Sequence, residues 1–274
     1  MGAPIILKSF WTETKKNFSL LVGLFKASFI SDLEFRFNFA TRIITDIFWY
    51  LAQVVTFEVL FLHTPIIGHW NINQTRVFLG VLFIIDALYM TFLADNLDKF
   101  SEKVRRGELD LLLMKPVNSQ FMVSFQRVAT ASLGNLIIAL MWMTYALYQL
   151  PDLHPLRIFW LIVLIPVGFS TLYVVRFCFS VVSLIFVRGE NIQFIWFQLY
   201  KLGMRPDSIY FPWLRYIVLT ILPVGLIASV PARAILDPPN WPLFLWAFAS
   251  VPIFIWFSNR FWKYCLSKYN SASS

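Results

Sequence analysis

The sequence predicts an all-α, polytopic membrane protein with six transmembrane helices, an N-terminal interfacial helix and an outer re-entrant hairpin before the last span. Three observations lead there. Of the 274 residues, 58% are apolar and only 14% are charged, whereas a soluble domain carries about 25% charged residues. The apolar residues lie in runs of about 20, the helical length that crosses a hydrocarbon layer of about 30 Å, and they lack the two-residue alternation of an outer-membrane barrel. The basic residues behind the net charge of +8 flank these runs. They report topology and exclude a nucleic-acid surface, which needs a basic patch with interleaved exposed aromatics. With no internal repeat and no long linker, residues 1–274 read as one domain.

Met1 to Lys16 holds one short apolar patch and no small-residue cleavage site, so no cleavable signal is expected. Ile6 stands where a myristoylation signal needs Ser or Thr, which leaves Gly2 unmodified. From Phe18 to Arg36, Leu21, Leu24, Phe25 and Phe29 recur at three- and four-residue spacing with Lys26, Asp32 and Glu34 between them, the pattern of a helix lying on a membrane. Residues 1–39 therefore form an arm and an interfacial helix. Clear spans follow at Ile43–Leu62, Arg76–Ala94, Val128–Leu147, Ile158–Phe186 and Pro242–Trp262.

The stretch between the fourth and last of these admits two readings of equal parity. Either residues 191–212 cross and 212–235 form a re-entrant hairpin, or residues 214–236 cross. Pro212, Pro223 and Pro231 favour the first, because they cut the later stretch into pieces too short to span. The price is that Lys201, Arg205, Arg215 and Arg233 fall toward the outside. Lys8, Lys15, Lys16, Lys26 and Arg36 in the arm, Lys99, Lys103, Arg105, Arg106, Lys115 and Arg127 after the second span, and Arg260, Lys263 and Lys268 near the end place all three regions in the cytoplasm. The two termini, including the tail 263–274, are then cytoplasmic. Trp49, Tyr50, Trp142, Trp213 and Trp262 are expected in interfacial aromatic belts.

The cytoplasmic loop 95–122 reads as a short charged helix ended by Gly107, an acidic, leucine-rich segment and a stop at Pro116. A solvated loop would explain its charges but not Leu109, Leu111, Leu112, Leu113 and Met114 outside a span; these suggest a partner protein. Asp46, Glu58, Asp86 and Arg176 lie within spans, where each charge costs about 2.5–3.5 kcal/mol at mid-bilayer. They are expected to face protein or a water-filled path, with Arg176 pairing Asp86 or Glu58, or to serve as structural inter-span pairs. Catalysis finds little support. His63, His69 and His154 fall in or beside outer loops without metal-pair spacing and read as surface residues. Cys178 and Cys265 are separated in depth and form no framework. There is no nucleophile elbow, and the absence of any Gly-Lys pair rules out a Walker loop.

Arg106-Gly107-Glu108-Leu109-Asp110-Leu111-Leu112-Leu113-Met114-Lys115-Pro116-Val117 closely resembles the cytoplasmic segment of one branch of the type-2 ATP-binding-cassette exporter permeases. Arg205-Pro206-Asp207-Ser208-Ile209-Tyr210, Ile221-Leu222-Pro223-Val224 and Pro231-Ala232-Arg233-Ala234 extend the resemblance. It implies a permease subunit of an ATP-driven exporter in a bacterial plasma (inner) membrane, working by alternating access on a hydrophobic or amphiphilic substrate. It also implies a coupling helix in residues 96–117 that contacts an ATPase through Phe100, Val104, Arg105, Arg106, Gly107, Glu108 and Leu109. Partners would be an ABC ATPase dimer, which would hold the ATP and Mg, and a second, related permease; this chain would hold no cofactor or metal. The alternatives from other classes are an ion-driven secondary transporter or channel, and a membrane-embedded lipid-modifying enzyme.

Overall fold

The computed structural model describes residues 19–32, 36–151, 153–185 and 189–269. Residues 1–18 and 33–35 of the predicted arm and interfacial helix, the end of the predicted fourth span at residue 186, and the end of the predicted tail, 270–274, lie outside them. Among the described residues the regular structure is helical, with one isolated bridge between Ile67 and Trp70. In chain order the helices are α1 (residues 19–32), α2 (Arg36–His63), α3 (Ile72–Phe92), α4 (Ala94–Leu97), α5 (Phe100–Arg105), α6 (Glu108–Leu113) and α7 (Ser119–Phe125). They continue as α8 (Leu133–Tyr148), α9 (Pro155–Val181), α10 (Gly189–Gly203), α11 (Pro212–Thr220), α12 (Gly225–Leu236) and α13 (Trp241–Lys268).

Among the described residues, five helical stretches are long and apolar enough to cross a membrane: Ala40–His63, Ile72–Phe92, Thr130–Tyr148, Pro155–Leu184 and Trp241–Lys268. They coincide with the five clear spans of the sequence. The last runs on to Lys268, so the first half of the expected tail, residues 263–268, is helix. Local chemistry sets the starts. Asn71 and Gln74 form a reciprocal capping box on α3, His154 caps α9 ahead of Pro155, and Asn240 caps α13 ahead of Pro242.

α3 is the central helix, with 78% of its apolar window buried, and α8, α9 and α12 pack around it. α2 is peripheral, 11% buried over its window, and turns Ile44, Phe48, Leu51, Val55 and Val59 outward. The molecule has two ends. At one lie the α2–α3 connection and the start of α13: Trp70 Nε1 donates to Asp237 Oδ1 at 3.0 Å, and Arg157 donates to the Ile235 carbonyl at 3.1 Å. At the other lie α4–α7, with Phe100 edge-on to Trp262 near the end of α13 and Ser180 Oγ donating to the Leu97 carbonyl.

The expected fifth crossing, residues 191–212, is not among these five stretches: its helix, α10, runs only over Gly189–Gly203. α10 stops at Gly203, because Pro206 disfavours helix at the residue before it and the Gly203 backbone sits against Val224, whose carbonyl oxygen would lie 2.8 Å from an added Cβ. The chain nevertheless passes from one end to the other: Gln193 bonds the Asp98 backbone beside α5, whereas Gly68 of the α2–α3 connection packs against Ser208. A 3-10 turn, Asp207–Ile209, completes the passage. α11 and α12 are bent by 102° relative to each other. Since Ser208 before them and Asp237 after them meet the same α2–α3 connection, the pair enters and leaves at one end.

Pro212 opens α11 and Pro223 sits in the break, but Pro231 lies inside α12 and does not divide it. A proline there deprives the Ile227 carbonyl of its helical partner. α9 covers that carbonyl with Gly168, whose missing Cβ would stand 2.2 Å from the Ile227 oxygen. α12 is buried along almost its whole length.

Two expectations need correction. Tyr50 and Trp262 are buried, at 4% and 3% exposure, because Tyr50 stacks on Phe83 and Trp262 donates to Ser119 Oγ; they are core, not belt. Cys178 and Cys265 are both free, but they are not separated in depth: each lies three residues before the end of its helix, α9 and α13, and those helices pack together. The three histidines are exposed, as expected of surface residues; His154 also caps α9, and His69 lies edge-on to Trp70 with its ring 3.2 Å from Asp237.

Candidate functional site

The loop between the second and third spans is built as an inward-anchored, outward-charged pair of short helices. Phe100, Leu109 and Leu112 are buried. Gly107, in the left-handed region at φ 71°, makes the corner between α5 and α6 that points Leu109 and Leu112 inward, a conformation an L side chain resists. Buried Asn96 staples α4 to the start of the third span by accepting from the Arg127 N–H at 3.0 Å and donating to its carbonyl at 2.7 Å. The outward surface carries Arg105 and Arg106, with Arg106 bonded to Glu102 and 3.9 Å from Glu108. Leu111 and Met114 stand out at 63% and 73% exposure.

Of the residues expected to meet an ATPase, Arg105 and Arg106 are exposed and Val104, Gly107 and Glu108 partly so. Phe100 and Leu109 are 1% and 0% exposed, so they anchor the element and present no surface. Leu111 and Met114 were not singled out as contacts; their signal was the leucine-rich run itself, which without a helix register does not say which leucines turn outward.

A cleft runs between α2 and α10. Its wider part, about 610 Å³, is lined by Trp49, Gln53, Phe57, Thr64, Phe197 and Arg205 among others, and reaches the α2–α3 connection. A narrower part of about 230 Å³ continues toward α5 and shares Trp49, Phe197 and Met204 with it; Asp46, Asp86, Asp98, Tyr89, Trp196 and Tyr200 line it. Asp46 and Asp86 therefore do face a cavity, with Asp46 bonded to Asn135 of α8.

The expected Arg176 pairings do not form. Glu58 bonds Arg76 at 2.7 Å near the opposite end of the molecule. Arg176, 1% exposed, instead pairs with Asp98 at 2.6 Å, donates to Tyr89 and the Leu97 carbonyl, bonds Gln193, and lies 5.6 Å over the Trp196 ring. Depth explains the choice. Arg176 is some 20 residues into α9, about 30 Å along its axis, which is level with the far end of α3 and beyond the reach of Glu58. Asp98 escaped notice because it read as one more solvated loop charge. The network joins α5 to the helix that walls the cleft.

The motif around Asp207 closes a second network. Asp207, 1% exposed, accepts from Arg215 at 2.8 Å and from Arg233 at 2.7 Å, and its N–H donates to Ser229. Two of the four cations that strained the topology are thereby neutralised, and the α11–α12 pair is tied to the end of the fifth crossing. Among the described residues, no group of three or more His, Cys, Asp or Glu is placed to hold a metal ion.

A family model described as ABC-2 family transporter protein matches residues 47–273, well over half of the chain. The chain belongs to that family. This ABC-2 permease is thus a multi-pass transport component of a membrane, of a family that generally works with an ABC ATPase partner. No curated protein and no solved structure matches it.

Proposed function

We propose that this chain is the membrane-spanning permease subunit of an ATP-driven exporter and that α5 and α6 are its coupling element. The carrying observation is the Arg176 network, which fastens the long charged turn between the second and third spans to α10 and hence to the cleft. In this reading Arg105, Arg106, Glu108, Leu111 and Met114 meet a separate ATPase dimer that binds ATP and Mg, because the chain lacks a Walker loop of its own. The α4–α7 end is cytoplasmic, as its lysines and arginines favour, and both termini share that side of a bacterial inner membrane. The α11–α12 pair is the outer re-entrant hairpin. A second, related permease completes the pathway against the exposed face of α2.

The cargo is hydrophobic or amphiphilic: Trp49, Phe57, Leu60, Ile67, Phe197 and Ile209 make most of the wall of the larger part of the cleft, and Lys201 and Arg205 are its charged groups. Purifying the tagged chain from its native membrane in mild detergent, identifying partners by mass spectrometry and assaying ATPase tests the reading. A nucleotide-binding subunit should co-purify with the parent chain and be lost with Glu108→Lys. Transport by the isolated chain, driven by an ion gradient and indifferent to ATP, would replace it with the ion-driven alternative.

A further inference from the structure

Neither site accounts for a groove of about 410 Å³ between α1 and the α4–α5 element, lined by Ser28 and Ser31 on one wall and by Lys99, Lys103 and Arg127 with Asp95 on the other. We propose that it binds the headgroup of an anionic phospholipid, held by Lys103 and Lys99, with the acyl chains along the outward face of α1.

The cations differ in how far they are already satisfied. Arg127 lies 3.3 Å from Asp32, and Lys99 lies 3.2 Å from Asp95. Among the described residues Lys103 makes one hydrogen bond, to the neutral Gln126 at 3.3 Å. Burial pulls the Lys103 ammonium below its usual pKa, an effect that Glu108 and Asp95 offset only in part. A phosphate in the groove would supply the missing anion at short range, which a partly buried ammonium rewards more than an exposed one.

The phosphate is assigned to a lipid because of the wall it would touch. α1 is fixed to the body by Ser28 Oγ, which accepts from the Val128 N–H, and by Asp32, which accepts from the Thr130 N–H at 2.9 Å and its hydroxyl at 2.6 Å. Its opposite face exposes Val22, Phe29 and Ile30. An amphipathic helix so exposed in a membrane protein lies at the boundary between headgroups and acyl chains, which puts the groove beside it at phosphate depth. The inference rests on membrane insertion alone and stands whether or not an ATPase binds α5 and α6.

The test is native mass spectrometry of the full chain released from nanodiscs of equal phosphatidylglycerol and phosphatidylcholine. Phosphatidylglycerol should be retained in preference, and Lys103→Gln should lower its retention about fivefold, the effect of one near-surface cation. Lys103→Arg should preserve it, as should Lys263→Gln, which removes an exposed lysine of α13 outside the groove. If Lys103→Gln does not yield folded protein, Lys99→Gln replaces it, with the same expectation. Equal retention of the two lipids, or equal loss with Lys263→Gln, would overturn the site in favour of diffuse surface charge. Displacement of the lipid by sn-glycerol 3-phosphate at millimolar concentration would overturn the lipid assignment and leave a soluble-phosphate site.

Discussion

Asp207 and Gly168 each hold a piece of backbone that the membrane cannot solvate. Asp207 sits between two guanidinium groups at the root of the α11–α12 pair, and removing its charge leaves Arg233, itself 7% exposed, without its closest counter-ion. Breaking a buried pair in this way costs about 3–5 kcal/mol. Asp207→Asn should therefore lower the thermal unfolding midpoint in detergent markedly, and Asp207→Leu combined with Arg233→Met should recover much of the loss. A single variant as stable as the parent would show that the pair is incidental. Gly168→Ala forces a methyl toward the Ile227 carbonyl and should cost about 1–3 kcal/mol, the range for overpacking a filled core. Neither residue advertised this in the sequence. Asp207 and Arg233 stood out within motifs, but their sequence separation hid their contact, and a glycine in an apolar run has no visible partner.

At the scale of elements the sequence was most informative where hydrophobic length decides the outcome. The five clear spans and the broken stretch around Pro223 follow from runs and prolines, and the structure keeps them. It was least informative where a helix must end for a tertiary reason. Gly203 ends α10 against Val224, a contact across the fold, so the segment expected to cross at 191–212 is helical for 15 residues and followed by a turn. The loop between the second and third spans shows the same division: its short charged helix was legible, the register of its leucines was not. Because Leu111 and Met114 are exposed while Leu109 and Leu112 are buried, Leu111→Asp with Met114→Asp should abolish co-purification of an ATPase and leave the unfolding midpoint within a degree or two. Leu109→Asp should instead unfold the element. Asp98→Asn tests the link between element and cleft. With Arg176 deprived of its carboxylate, ATPase should still bind α5 and α6, but its stimulation by cargo should fall, a split that simple misfolding would not produce.

The whole molecule is an asymmetric packing: α3 is enclosed, α2 stands nearly alone, and the cleft lies between α2 and α10. A peripheral helix with an apolar outer face and a cavity behind it can shift without disturbing the core, which is what a gated path requires. The cavity is wide toward the α2–α3 connection and narrows past Trp49, Phe197 and Met204 to the three carboxylates. This taper predicts an order of accessibility. In a background with Cys178→Ser and Cys265→Ser, Thr64→Cys at the wide mouth should react rapidly with a membrane-impermeant maleimide added from outside. Thr45→Cys in the narrow part should react slowly from that side and faster once ATP turnover moves α10. The hairpin supplies the control. Trp213→Cys, exposed at the start of α11, should label from the same side as Thr64→Cys, because both ends of the α11–α12 pair meet the α2–α3 connection. Labelling of Trp213→Cys and Thr64→Cys from opposite sides would make the bent pair a broken span in place of residues 191–212, with the number of crossings unchanged at six. Labelling of both only from the cytoplasm would preserve the fold and invert its orientation.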